Sequence, residues 1–159
     1  VVLRIEQTPD ERERGLTRLR WSNAGHPPPM IVHADGAVQP LTTLDADLLL
    51  GFDPTTARIE SETMVDRGAT VLLYTDGLIE RRGQGLDEGL ALLRDTLLTL
   101  ADHTLDDLCD EVLSRLLPDA PEDDVALVAV RLHLQDGPRP AEAGPRVLPP
   151  GIPDEPDAG

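Results

Sequence analysis

Apolar and polar positions alternate in several short runs before Tyr74, which predicts strands. Successive side chains of a strand point to opposite faces of a sheet, so alternation indicates one buried face and one exposed face. In the run 16–22, Leu19 and Trp21 share one face and Arg18 and Arg20 share the other. The predicted strands are residues 1–6, 16–22, 30–32, 38–41, 58–65, 71–74 and 125–132.

Polar, glycine-rich and proline-rich stretches separate these strands. Residues 8–15 predict a polar hairpin loop, and residues 34–36 and 66–68 predict tight turns. Residues 23–29 must form a turn, because Gly25 and three prolines there prevent regular strand pairing.

After Tyr74 the apolar spacing changes to that of a helix. A first stripe predicts a helix over residues 86–100, and it consists of Leu86, Leu90, Leu93, Leu97 and Leu100. A second stripe of Leu105, Leu108, Val112 and Leu116 follows Thr104, which with Asp107 resembles an N-terminal cap, and Pro118 ends that helix. Antiparallel strands, two amphipathic helices and a last strand predict an α+β fold whose helices cover one face of the sheet.

The chain is strongly acidic, with 14 Lys+Arg (all arginine) against 30 Asp+Glu and a net charge of -16. This balance argues against a nucleic-acid partner, since a phosphate backbone is bound mainly through cationic side chains. A basic partner or a bound metal suits it better. Cys109 is the only cysteine, and no signal peptide or bilayer-length apolar run is present, so we expect a cytoplasmic protein with no membrane partner.

Two features concern the ends of the chain. The first residue is Val1 in a strand-like run, so the chain is expected to be part of a longer protein. Residues 135–159 include seven prolines and four glycines, which predicts a disordered tail over residues 134–159.

Two acidic segments stand at the ends of apolar runs. Asp76 and Gly77 follow the run 71–74, and Asp123 and Asp124 precede the run 125–130. A carboxylate fixed at a strand end is a rigid oxygen ligand of the kind that Mg²⁺ or Mn²⁺ prefers. Two such charges about 4 Å apart repel by roughly 4 kcal/mol at an effective dielectric of 20, so a shared site needs a cation or a proton. Two alternatives remain: Asp76-Gly77 as a plain turn, and Asp123-Asp124 as solvated acid at a strand start.

Three motifs occur in order along the chain: Asn23-Ala24-Gly25-His26-Pro27-Pro28, Leu73-Tyr74-Thr75-Asp76-Gly77-Leu78-Ile79-Glu80, and Asp123-Asp124-Val125-Ala126-Leu127. With them the chain resembles the metal-dependent PPM-type serine/threonine phosphatases, in the bacterial SpoIIE and RsbU branch. The resemblance implies an α-β-β-α sandwich of antiparallel sheets flanked by helices, N-terminally incomplete here. Residues 1–133 would be the C-terminal portion of that domain.

The resemblance also implies a chemistry: hydrolysis of phosphoserine or phosphothreonine by a metal-bridged water, with two Mn²⁺ or Mg²⁺ ions in the complete domain. Asp76 matches the family's metal-binding aspartate. Of the next pair, Asp123 matches the family ligand better, and Asp124 is a second candidate that would otherwise hold a metal-bound water. The loop with Asn23, Gly25 and His26 would lie near the catalytic end and contact substrate phosphate; alternatively, His26 only shapes a rigid turn.

The chain departs from the family pattern upstream. The family's metal site also uses an Asp-Gly pair in a Gly-Gly-Asp-type strand and a glycine-rich acidic segment, and Asp10 matches neither. We therefore expect this polypeptide to be inactive by itself. The implied partners are a phosphoprotein substrate, such as an anti-anti-sigma factor of the STAS type, and an upstream sensor domain in the parent protein. The alternatives are a non-catalytic interaction module and a domain in which Asp76 and Asp123 hold one structural metal.

Overall fold

A computed structural model of the chain describes residues 1–42, 48–53, 55–81, 83, 85–117 and 124–133. The strands are β1 (Val2–Glu6), β2 (Leu16–Ser22), β3 (Met30–Val32), β4 (Val38–Pro40), β5 (Ser61–Asp66), β6 (Thr70–Tyr74) and β7 (Leu127–Arg131). The α-helices are α1 (Pro9–Glu13), α2 (Leu86–Leu97) and α3 (Leu105–Leu116), and a 3-10 turn covers Asp76–Leu78. The predicted tail, residues 134–159, lies outside the described residues.

The strands form two antiparallel sheets. The first sheet has the order β1-β2-β5, and the second has the order β4-β3-β6-β7. In the second sheet, Leu72 of β6 lies between Met30 of β3 and Ala129 of β7. The turn after β5 therefore connects a strand of one sheet to a strand of the other, which the alternation pattern alone did not indicate.

Apolar side chains fill the space on both sides of the second sheet. One core cluster lies between the sheets and contains Leu19, Trp21, Ile31, Leu41, Val65, Ala69, Val71 and Leu132. The other packs α2 and α3 onto the opposite face and includes Met30, Val32, Leu72, Tyr74, Leu93, Leu97, Leu108 and Val112. The described residues thus form three layers: helices, second sheet and first sheet. The predicted α+β fold with paired antiparallel sheets is confirmed.

The prediction of a plain loop over residues 8–15 was wrong, because this segment contains α1. The Thr8 hydroxyl accepts a hydrogen bond from the Glu11 N–H at 3.2 Å, and the Glu11 carboxylate accepts one from the Thr8 N–H at 2.8 Å. Pro9 occupies the first turn, where its missing N–H is no disadvantage. This reciprocal cap stabilises one helical turn between two paired strands.

The two longer helices are confirmed, with one change of boundary. Thr104 caps α3 as predicted, since its Oγ1 accepts from the Asp107 N–H at 3.1 Å. Helix α2 ends at Leu97 and not at Leu100 as predicted, because the residues from Leu98 to Leu100 form a turn with short-range hydrogen bonds. No helix in the described part of the chain is long and apolar enough to cross a membrane.

Candidate functional site

The first acidic residue of the candidate site lies where β6 ends. The strand is buried except at Leu73, which is half-buried, so packing fixes the position of its C-terminal end. Asp76 is the second residue after the strand, is exposed, and begins the 3-10 turn. One of its carboxylate oxygens, Oδ1, accepts a hydrogen bond from the Gly77 N–H at 3.0 Å. The carboxylate is therefore both accessible and oriented.

Thr75 connects this strand end to the segment that precedes β7. Its hydroxyl donates to the backbone carbonyl of Asp124 at 3.1 Å and accepts from the Ala126 N–H at 2.9 Å. Its own N–H donates to the Ala126 carbonyl at 3.0 Å. These three bonds bring the Asp124 backbone beside the residue that precedes Asp76. The two acidic segments, separated by about fifty residues of sequence, meet at one end of the second sheet.

The outcome differs among the three predicted metal ligands. Asp76 and Asp124 lie in neighbouring segments, and both side chains are exposed. Asp123 lies outside the described residues, so its role as a ligand stays a prediction. The bond from Thr75 nevertheless fixes the backbone of the residue that follows it.

Tyr74 connects the same strand end to the proline-rich loop. Its phenol donates to the Pro28 carbonyl at 2.8 Å. Burial raises the pKa of Tyr74, so the phenol keeps its proton and remains a donor. Because β6 lies between β3 and β7, Tyr74 and Thr75 together bind both neighbouring segments. The loop 23–29 is thereby placed at the same end of the sheet as Asp76.

Two of the candidate phosphate-binding residues have structural roles in this loop. The side chain of Asn23 closes the turn, because Oδ1 accepts from the His26 N–H at 2.8 Å and Nδ2 donates to the His26 carbonyl at 2.7 Å. Gly25 has a φ of +85°, and a Cβ there would lie 2.1 Å from Cδ2 of Leu49. Only glycine combines that backbone conformation with so close a contact. Asn23 and Gly25 thus shape the loop.

His26 has one ring nitrogen engaged within the loop. Its Nδ1 lies 2.7 Å from the Pro27 carbonyl, and a carbonyl oxygen can only accept, so Nδ1 carries the proton. In the neutral ring Nε2 is then an acceptor. A phosphate oxygen also accepts, so His26 can donate to one from Nε2 only as imidazolium.

The described side chains at the end of the second sheet beside Asp76 have the donor atoms that a divalent metal prefers, but there are too few of them to complete a site. Carboxylate oxygens such as those of Asp76 and Asp124 are the ligands that Mg²⁺ and Mn²⁺ prefer. Within the described residues, however, no group of three or more His, Cys, Asp or Glu side chains is arranged to hold a metal ion. Asp76 and Asp124 alone therefore do not make up a complete metal site in the described part of the chain.

Comparison with known families assigns the chain to one of them. The family model of Stage II sporulation protein E (SpoIIE) matches residues 12–133. This match covers more than half of the chain and includes all three motifs, so the chain belongs to the SpoIIE family. The resemblance to the SpoIIE and RsbU branch of the PPM-type phosphatases is thereby confirmed.

Solved structures agree with this assignment. The chain is similar to the RsbU and RsbW domains of Rv1364c from Mycobacterium tuberculosis, with 32% identity and a TM-score of 0.62 over 75% of this chain and 34% of that one. It has the same fold as a structure of SpoIIE from Bacillus subtilis that contains the PP2C phosphatase domain and a fragment of the regulatory domain. That match has 20% identity and a TM-score of 0.55, and it covers 73% of this chain and 34% of that one. A Toxoplasma gondii phosphatase has the same fold, at 15% identity and a TM-score of 0.56, covering 76% and 50%. The chain thus spans about a third of the length of the first two structures.

Sequence reasoning missed Tyr74 and Thr75 as residues that build the site. Both stand in the quoted motif next to Asp76, where they were interpreted as the end of a strand. Their hydroxyl partners lie 46 and 49 residues away, so only the strand register reveals them.

Proposed function

We propose that the chain is the C-terminal part of a metal-dependent phosphatase domain that hydrolyses phosphoserine or phosphothreonine on a regulatory protein. One observation supports this proposal: Thr75 holds the backbone at Asp124 beside Asp76, in a chain of the SpoIIE family. The alternative of a plain turn at Asp76-Gly77 gives no reason for a second acidic segment at the same end.

Asp76 and Asp123, with Asp124 as an alternative to Asp123, are the residues that would hold Mn²⁺ or Mg²⁺. When bound, such ions lower the pKa of a coordinated water and neutralise charge on a phosphoryl group. The chain's own contribution is orientation. The Gly77 N–H fixes the rotation of the Asp76 carboxylate, and the hydroxyls of Tyr74 and Thr75 hold the neighbouring segments in place.

The same donor count supports a further part of the proposal, that this polypeptide alone does not turn over substrate. Two ions need more ligands than two carboxylate segments provide, and the upstream Asp-Gly strand of the family is not among the three matching motifs. The remaining ligands would come from a preceding region of a longer parent protein, which would also carry any sensor domain.

We propose a phosphorylated anti-anti-sigma factor of the STAS type as the substrate and the cytoplasm as the compartment. The family assignment supports the substrate class. The net charge of -16 agrees with a protein partner and disfavours nucleic acid.

A phosphatase assay on the chain and on its longer parent tests the proposal. We expect the parent to release phosphate from a phosphoserine protein in the presence of Mn²⁺, and this release should stop when a chelator is added. The chain alone should release no phosphate. In the parent, Asp76→Asn should lower the rate by more than about 100-fold, beyond the usual loss for an outer hydrogen-bond partner of a metal ligand. Asp102→Asn is the matched control, because Asp102 is an exposed aspartate in the loop between α2 and α3.

Three outcomes would contradict the proposal. An Asp76→Asn parent that is as active as wild type removes Asp76 from the site. Equal losses in the Asp76 and Asp102 variants point to a general effect of charge. Manganese-dependent turnover by the isolated chain refutes the claim that its metal site is incomplete.

A further inference from the structure

The hydroxyl of Thr75 has two hydrogen-bond partners, both on the segment that leads into β7. It donates to the Asp124 carbonyl and accepts from the Ala126 N–H, at 3.1 and 2.9 Å. The regular ladder between β6 and β7 ends at the pair Tyr74 and Leu127. One further backbone bond, from the Thr75 N–H to the Ala126 carbonyl at 3.0 Å, continues the pairing as far as Ala126. Of the bonds from Thr75, the one that its hydroxyl donates is the bond that reaches the Asp124 carbonyl.

We propose that Thr75 is a positioning residue that sets the separation between Asp76 and the backbone at Asp124. This inference rests on the function proposed above, because that separation matters only if the two segments share a cation. A threonine hydroxyl suits the task, since it donates one hydrogen bond and accepts another at the same time. Valine has nearly the same shape but can do neither.

The chain contains a matched control at the other end of the same strand pair. Thr70 of β6 accepts a hydrogen bond from Nε of Arg131 in β7 at 2.9 Å. Thr70→Val therefore removes one side-chain bond between the same two strands, far from Asp76. A purely structural role for Thr75 predicts similar behaviour of the two valine variants.

Calorimetric titration of the isolated chain with Mn²⁺ alone distinguishes a positioning role of Thr75 from a purely structural one. We expect Thr75→Val to weaken Mn²⁺ binding about tenfold, the lower end of the range for partners that orient metal ligands. Thr75→Ser, which keeps the hydroxyl, should retain the wild-type affinity, and so should Thr70→Val. Wild-type affinity in Thr75→Val, or equal losses in both valine variants, would overturn the positioning role.

Asp76→Asn distinguishes this failure from a failure of the proposed function. If Asp76→Asn binds Mn²⁺ like the wild type, the metal site itself is wrong, and the role of Thr75 is overturned with it. If Asp76→Asn loses binding while Thr75→Val keeps it, the metal site stands and only the positioning role is refuted.

Amide hydrogen exchange of the wild-type chain gives a test that does not depend on how a variant folds. The Ala126 N–H donates to the Thr75 hydroxyl, so we expect its exchange to be slowed as it is for the strand amides of β7. In Thr75→Ser the slow exchange should persist. Free exchange of the Ala126 amide in the wild type would show that the bond does not hold the segment and would overturn the proposal.

Discussion

Gly89 of α2 lies directly against the backbone carbonyl of Ile79, so closely that a Cβ at this position would lie 2.0 Å from the carbonyl oxygen. Ile79 ends the short turn that begins at Asp76. The helix thus packs on the backbone of the candidate site without an intervening side chain. A glycine in mid-helix is otherwise unfavourable by about 1 kcal/mol relative to alanine, and the close approach explains its presence.

We expect Gly89→Ala to destabilise the chain, although alanine is the better helix former. The added methyl group would lie 2.0 Å from a backbone oxygen and forces α2 away from the turn. Overpacking costs about 1–3 kcal/mol, and a clash with backbone places the cost in the upper part of that range, above the gain of about 1 kcal/mol in helix propensity. Denaturant unfolding measures the change. Gly85→Ser is the control, because a Cβ at Gly85 meets no atom within 4 Å and serine is favoured at this N-cap position. An alanine variant at Gly89 as stable as wild type would contradict the close packing.

Tyr74→Phe should lower the free energy of unfolding by about 1 kcal/mol at neutral pH, because the bond to the Pro28 carbonyl is lost. The pH dependence is the sharper test. Burial raises the pKa of Tyr74 above its ordinary 10.0, so the folded state holds the proton more tightly than the unfolded state. The stabilisation from the neutral phenol is fully present below about pH 10 and is lost as the pH rises further.

Chemical unfolding between pH 8 and pH 11 checks this prediction. Tyr74 is the only tyrosine and the chain has no lysine, so few groups titrate in this range. Burial also raises the pKa of Cys109, but Cys109 contributes equally to the pH dependence of the wild type and of Tyr74→Phe. The wild type should lose more stability than Tyr74→Phe above about pH 10. Parallel curves would show that the phenol is not held in its neutral form.

Glu11→Gln should reduce the sensitivity of the fold to acid. Hydrogen bonds from the Thr8 N–H and then from Arg18 lower the pKa of Glu11 below its ordinary 4.5. The stabilisation from the charged carboxylate is present above that value and is lost as the pH falls through the lower pKa of the folded state. Thermal unfolding at pH 7 and pH 3 should show a smaller difference for Glu11→Gln than for wild type. Glu13→Gln, an exposed change in the same helix, should leave the wild-type difference intact.

Local patterns predicted most of the elements. The alternation of Leu19 and Trp21 with two arginines placed β2 correctly, and Thr104 marked the start of α3. The missed helix α1 is five residues long, too short for apolar periodicity to appear, and only the spacing of Thr8, Pro9 and Glu11 indicates it. The sheet membership of β5 and β6 depends on pairing between distant strands, which the spacing of residues along one strand does not encode.

The candidate site was predictable as residues but not as geometry. The motif around Asp76 identified the strand end, and the acidic pair before β7 identified the second segment. The bonds from Tyr74 to Pro28 and from Thr75 to Asp124 arise only when β3, β6 and β7 are neighbours. The same applies to Asn23 and Gly25, whose roles in the loop depend on contacts with His26 and Leu49.

Paramagnetic broadening by Mn²⁺ tests the central claim most directly, namely that the end of the second sheet beside Asp76 attracts a divalent cation. In a nitrogen-15 spectrum of the chain, the amide signals of Gly77 and Ala126 should broaden at the lowest Mn²⁺ concentrations. The signals of Gly36 and His103 come from a second acidic surface with Asp35 and Asp102, and they should broaden only later. Broadening that begins at Gly36 and His103, or that affects all acidic surfaces equally, would contradict the account.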